Sequence, residues 1–281
     1  MNNRRSFITG IKGTKLSDLE IKFLIKYKPW GVILFSRNLK SINQVIKLTK
    51  NIKRIFYDKN YPIIIDQEGG RVNRLEKFIE FNNYTSEFLG NLYKNDKKKF
   101  KLIFNLFIDK TSYLLSLLGI NINTVPVLDL RYKGSSNVIG DRSYSRDPSV
   151  VSDVGNLCIK RFKYNSIFSI IKHIPGHGLA KVDSHKYTPI INKSLKYLKK
   201  NDFKTFKSKD SLFAMTAHVI FSKIDPKNTV THSKKLIKII RNYIKFKNLI
   251  ISDDLSMKSL KNSLKQNTTK AFDAGCNLVL H

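Results

Sequence analysis

The chain has 281 residues, with 52 lysines and arginines against 21 aspartates and glutamates, six histidines and two cysteines. That length suits a single domain able to bury roughly three quarters of the surface its unfolded form exposes. Cys158 and Cys276 are too few and too far apart for a disulfide framework or a CxxC metal cluster, and no apolar run approaches the about 20 residues of a membrane span.

The net charge of +31 alone points to nucleic acid or an anionic surface. The excess is scattered lysine, however, whereas specific nucleic-acid recognition leans on arginine forks. The densest runs, Lys97 to Lys101 and Lys193 to Lys200, alternate with apolar residues and read as solvated helix faces. A cytoplasmic protein is expected, with no specific nucleic acid and no membrane among its partners.

Taken in chain order, short β-branched runs alternate with longer stretches of helical periodicity, the pattern of a parallel sheet buried on both faces. The strand candidates are Ser6 to Thr9, Gly31 to Phe35, Pro62 to Ile65, Ile120 to Leu128, Ile167 to Ile174, Leu212 to Ala217, Leu249 to Ile251 and Asn277 to Leu280. Helices are predicted over Ile42 to Phe56, Phe100 to Leu118, Val150 to Tyr164, Lys234 to Phe246 and Met257 to Ala274. Eight alternations favour a closed (β/α)8 TIM-type barrel over an open doubly wound sheet, in one domain over residues 1–281.

Reactive residues recur at the ends of these runs, where a barrel builds its active site. The third run ends in Asp66-Gln67-Glu68, the fourth in Asp129, the fifth in Lys172-His173, the sixth in His218 and the seventh in Asp253-Asp254. One such residue is readily a helix cap; five strand ends carrying Asp or His read as the wall of a polar substrate pocket. Two loops follow, 133–148, rich in Gly, Ser and Asn, and 175–185. The second holds His177, Asp183 and His185, and its glycines and proline predict a mobile or sharply turned segment. No phosphate-cradling glycine loop and no HExxH spacing is present, so no cofactor and no metal is expected.

The segments GVILFSRN, IDQEGGRVNRL, VPVLDL, VIGDRSYSRDP, KHIPGHG followed by DSH, MTAHV, ISDDLSM and DAGCNLVL occur in this order. Together they resemble the single-domain bacterial β-N-acetylhexosaminidases of glycoside hydrolase family 3, the enzymes of peptidoglycan recycling. The resemblance runs from about Gly10 to the last residue. It implies the barrel fold and a retaining hydrolysis of terminal N-acetylglucosamine from peptidoglycan fragments. It also implies Asp253 as nucleophile, with His185 as acid/base oriented by Asp183. An imidazole titrates near neutral pH and so can both give and take a proton. Successive strand residues point to opposite sides, so only one of Asp253 and Asp254 is expected to face the pocket, and the resemblance selects Asp253. For the sugar it implies Asp66, Arg74, Arg142, Lys172 and His173; Arg71 is left to a structural ion pair, and His218 and Asp129 to the pocket or its support.

The chain ends at His281, directly after the eighth run, where the resembling enzymes continue with a final helix. A barrel lacking that C-terminal helix is expected to expose apolar surface at its last strand, which raises self-association as a further expectation. Two competing readings remain at this point: a non-catalytic relic that binds glycan, and a basic nucleic-acid binder.

Overall fold

In the computed structural model, which describes residues 4–281, the chain forms a closed parallel barrel ringed by helices. The elements in order are β1 (Arg5–Gly10), α1 (Asp18–Tyr27), β2 (Pro29–Leu34), α2 (Ile42–Ile55), β3 (Ile63–Ile65), α3 (Ser86–Asn95), α4 (Lys97–Leu117), β4 (Ile122–Asn123), α5 (Pro148–Tyr164), β5 (Phe168–Ile174), β6 (Ile190–Ile191), α6 (Leu195–Lys200), β7 (Phe213–Thr216), β8 (Ile220–Phe221), α7 (Lys234–Ile239), β9 (Leu249–Asp254), α8 (Leu264–Ala274) and β10 (Leu278–Leu280). The barrel order is β1-β10-β9-β7-β5-β4-β3-β2, while β6 and β8 pair beside it as a small parallel ribbon.

The near-continuous apolar strands serve two cores, because alternate side chains face opposite sides. Ile8, Ile33, Ile64, Ile122, Ile170, Met215, Ile251 and Leu278 fill the barrel interior, and every barrel strand supplies at least one of them. Their neighbours Val32, Leu34, Ile63, Ile65, Ile171 and Ile250 face outward into the larger core against the helices. The same alternation sets up the rim. Asp66, Thr124, Lys172 and Asp253 each stand two residues beyond an interior isoleucine: Ile64, Ile122, Ile170 and Ile251, respectively. Period two therefore carries all four toward the barrel mouth.

The eight predicted strands all appear; β9 extends to Asp254 and α4 begins at Lys97, and three further elements differ in kind or extent. Of Ile120 to Leu128 only Ile122–Asn123 is regular ladder. Pro126 has no N–H to donate, and pairing resumes as a single bridge from Val127 to Lys172. The predicted helix from Met257 begins at Leu264, where Ser263 and Gln266 form a reciprocal capping box; the preceding turn brings Met257 to the pocket. The stretch predicted to run to Phe246 is α7 followed by one wide π turn over Ile240–Ile244. The lysine runs do lie on helices, α4 and α6, with their lysines largely exposed.

The apolar exposure expected at the last strand is not found there. Leu278, Val279 and Leu280 are all buried, because β10 pairs with both β9 and β1 and Val279 packs into the outer core. Exposed apolar side chains sit instead on the outer helices, among them Leu19, Phe23 and Ile25 on α1, Leu102 and Leu106 on α4 and Leu264 and Phe272 on α8.

Candidate active site

A cavity of about 320 Å3 opens at the C-terminal end of the strands. Asp66, Arg74, Arg142, Lys172, His173, His185 and Asp253 all line it, and Asp183 reaches it through His185. The structure thus brings together residues that lie 187 positions apart in the chain, from Asp66 to Asp253.

One wall is a closed network of ions. Lys172, almost fully buried, donates to Asp66 at 3.0 Å and to Thr124 at 2.8 Å, and pairs with Glu68 at 2.7 Å, so its three N–H groups all have partners. Arg142 forks onto Glu68 with two bonds of 2.8 Å and donates a third, also 2.8 Å, to the Val138 carbonyl. Thr124 donates to Asp66, and Arg74 lies 4.0 Å from its other oxygen. Burial alone would raise the Glu68 pKa, but Arg142 and Lys172 outweigh it and hold the carboxyl far below its ordinary range. Asp66 is likewise held low, burial being offset chiefly by Lys172 and by the Thr124 hydroxyl.

A second set fixes the imidazoles. Asp129 is buried beneath the rim and outside the cavity lining. It accepts from the His173 ring at 2.6 Å and from the His173 and His177 amides at 3.2 and 2.6 Å. Burial opposes its ionisation, yet the His173 charge and hydrogen bond keep its pKa below the ordinary aspartate value. An ionised Asp129 takes the proton-bearing Nδ1 of His173 and leaves Nε2 toward the cavity. His177 is driven neutral: burial first, then the neighbouring His173, pushes its pKa down to about 4. Its Nε2 meets Ser184 at 3.0 Å, and its Nδ1 has no protein partner.

Asp253 differs from the other carboxylates. Among the described residues no cation pairs with it, and its single hydrogen bond is from the adjacent Asp254 amide at 2.8 Å. Burial would raise its pKa, but the nearby His218, His173 and Lys172 hold it below the ordinary value, so the carboxylate is ionised. Asp254 lines the cavity as well, so the expectation that only one of the two aspartates would face it fails, but its Oδ1 caps the following turn, accepting from the Ser256 amide and hydroxyl at 2.9 and 2.7 Å. His218 is buried beneath this strand end, bonded to Thr231 at 2.7 Å and to the Asp254 carbonyl at 3.0 Å, so it supports the rim and does not line the cavity.

Across from these lies the loop after β5. Its first half is turned sharply and packed: Gly178 touches the Leu130 carbonyl so closely that a Cβ there would sit 2.0 Å from the oxygen. Its second half is open. His185 donates from Nδ1 to Asp183 at 2.8 Å, its amide bonds the same oxygen at 2.8 Å, and its side chain is 65% exposed. Arg71 is a structural pin, as the ion-pair expectation held. It pairs with Asp141 at 2.8 Å and donates to the carbonyls of Asn137, Val138 and Ile139.

Three residues that the structure places at the site were assigned no role from the sequence. Glu68 was visible as the last letter of Asp-Gln-Glu, Thr124 carried no signal beyond its place two residues after Ile122, and His177 was one of three clustered histidines.

A closed parallel barrel whose rim gathers ionised carboxylates and oriented imidazoles around a small polar cavity is a barrel enzyme built for a polar substrate. Residues 9–281 match the glycosyl hydrolase family 3 N-terminal domain. A β-hexosaminidase of Nitrosomonas eutropha is 33% identical, over 96% of this chain and 78% of its own length. Native NagZ from Neisseria gonorrhoeae superposes with a TM-score of 0.90 at 32% identity, covering 99% of this chain and 81% of that one. A family 3 β-N-acetylglucosaminidase from Paenibacillus gives 0.89 at 28% identity, covering 98% of this chain and 53% of that one. The chain belongs to glycosyl hydrolase family 3 and is a glycoside hydrolase.

Proposed function

We propose that the enzyme is a retaining β-N-acetylglucosaminidase that removes terminal N-acetylglucosamine from peptidoglycan fragments, N-acetylglucosaminyl-anhydromuramyl units with or without their peptide, in cell-wall recycling. The reading is carried by one juxtaposition: an ionised, unpaired Asp253 in the same small cavity as a His185 whose Nδ1 is already held by Asp183. It is supported by the β-hexosaminidase relatives and by the NagZ structure in complex with N-trifluoroacetyl-D-glucosamine, which superposes with a TM-score of 0.89.

In this mechanism Asp253 attacks the anomeric carbon while His185 Nε2 gives its proton to the departing oxygen. The glycosyl-aspartate ester is then cleaved by water, whose proton returns to the same nitrogen, so the anomeric configuration is retained. Asp183 stabilises the protonated imidazole and sets its tautomer. Asp66, Arg74 and the free nitrogen of His173 bind sugar hydroxyls. Lys172 and Arg142, their donors largely engaged by Asp66 and Glu68, hold that wall in register.

The test is hydrolysis of a chromogenic N-acetyl-β-glucosaminide by the purified chain and by Asp253→Ala. The variant is expected to lose about 10^4-fold or more in kcat, and proton NMR of the first-formed sugar is expected to show retained configuration. An inverted product, or turnover that survives in the variant, removes Asp253 as nucleophile.

A further inference from the structure

Beside the catalytic cavity lies a second cleft, of about 490 Å3, bordered by β6, β8, the turn before α8 and Lys270 of α8 itself. Five lysines line it: Lys186, Lys227, Lys258, Lys261 and Lys270. No aspartate or glutamate does, and none of the five pairs with a carboxylate among the described residues. All five side chains are exposed, Lys186 lies near enough to Asp183 to lower that carboxyl's pKa, and like charges gathered round one cavity favour an anionic occupant.

A second observation points the same way. Three residues lining this cleft each carry a buried side-chain atom with no hydrogen-bond partner among the described residues: Thr229 Oγ1, His232 Nε2 and Ser259 Oγ. Thr229 is 5% exposed and Ser259 2%. A buried hydroxyl without a partner carries an unmet desolvation cost, and hydroxyls and ammonium groups together are the donors that oxyanions take. The groove between α4 and α5 is a useful contrast. It too is rimmed by cations, Lys97, Lys101, Lys160 and Arg161, but Arg161 is already committed to Asp109 and no unpartnered hydroxyl lines it.

The cleft is also tied to catalysis by chain geometry. His185 of the catalytic cavity is followed directly by Lys186, and Met257 of the cavity by Lys258. Thr188 Oγ1 donates to the Ser259 carbonyl at 2.7 Å, which joins the two loops. We propose that this cleft binds a multiply charged oxyanion, phosphate or carboxylate, next to the hydrolytic site. Two sources share that chemistry: a free oligophosphate, and a leaving group that carries negative charges beyond the sugar.

The experiment has two arms. In the first, inorganic tripolyphosphate is titrated calorimetrically into the full chain at about 0.15 M salt, where long-range attraction to the basic surface is screened. Saturable one-to-one binding is expected, weakened about tenfold or more by Lys258→Gln with Lys261→Gln. Removing the same charge elsewhere, by Lys97→Gln with Lys101→Gln, is expected to leave it unchanged. Thr229→Val is expected to weaken binding while raising the stability of the free protein, an opposition that general loss of structure does not produce.

The second arm rests on the hydrolytic reading above, and the first does not. It compares kcat/KM for two N-acetyl-β-glucosaminides, one with a dicarboxylate leaving group and one with its neutral dimethyl ester. Loss confined to the titration assigns a free oxyanion; loss confined to the charged glycoside, or shared by both arms, assigns the leaving group. If the Lys258/Lys261 variant matches the parent chain in both arms, or the control pair weakens binding equally, the cleft is not a site.

Discussion

The two sides of the catalytic cavity are built on opposite plans. The side formed by β3, β4 and β5 is a saturated network in which Glu68 and Lys172 are both only 3% exposed and nearly every charge has its partner. The opposite loop carries a single dyad, Asp183 and His185, whose imidazole is largely exposed and whose other nitrogen has no hydrogen-bond partner among the described residues. A buried ion network cannot rearrange cheaply, because any uncompensated charge in that setting costs several kcal/mol. An exposed dyad on a loop rearranges at little cost. The contrast teaches that a rigid wall suits reading a sugar's hydroxyls, whereas a proton carrier that serves both a leaving group and a water gains from freedom to move.

Glu68→Gln tests the rigid side and carries the largest stability effect. It leaves Lys172 and Arg142 buried against a neutral amide, and unfolding in urea is expected to show a loss of about 3–5 kcal/mol. The pH dependence has a defined sign. Glu68 is held below its ordinary value of 4.5, so its stabilisation is complete above that pH and fades only as pH falls through the lower native value. The parent chain should therefore lose stability on acidification below about 4.5 more steeply than the variant does.

His185→Ala tests the mobile side. Stability should stay within about 0.5 kcal/mol of the parent, while kcat drops by roughly 10^2- to 10^3-fold and its pH profile flattens. If this variant unfolds as easily as Glu68→Gln, the two sides are not independent and the contrast fails.

The smallest effect is expected from Arg71→Gln, which unpins the segment whose Val138 and Ile139 line the cavity. Its pair with Asp141 is partly exposed and worth about 0–1 kcal/mol. A rise in KM of about threefold with kcat nearly unchanged is the expected signature in steady-state kinetics. A fall in kcat of the same size would place Arg71 in the chemistry.

Much of this was legible in the sequence, because periodicity is a local property. Eight β-branched runs foretold eight barrel strands, and the polar letters after them marked the rim, since a residue two places past an interior isoleucine must face the same way. Alternation along β9 did not separate Asp253 from Asp254, because both border the cavity at the end of that strand; what distinguishes them is that Asp254 caps the next turn. Helices α1 and α3, ten residues each, were not among the predicted helices, and α6 was foreseen only as the lysine-rich helix face of Lys193 to Lys200.

What the tertiary structure alone decided is who pairs with whom. That Lys172 meets Glu68, that Asp129 orients His173, and that Arg71 holds the 137–141 loop all depend on strands and loops being brought together from distant parts of the chain. Charge pairing acts over a few ångströms of space and has no period along the chain, so no spacing announces it. The five-lysine cleft is the same case: in sequence its members are single letters in a lysine-rich background, and only folding places them round one cavity with no acid among them.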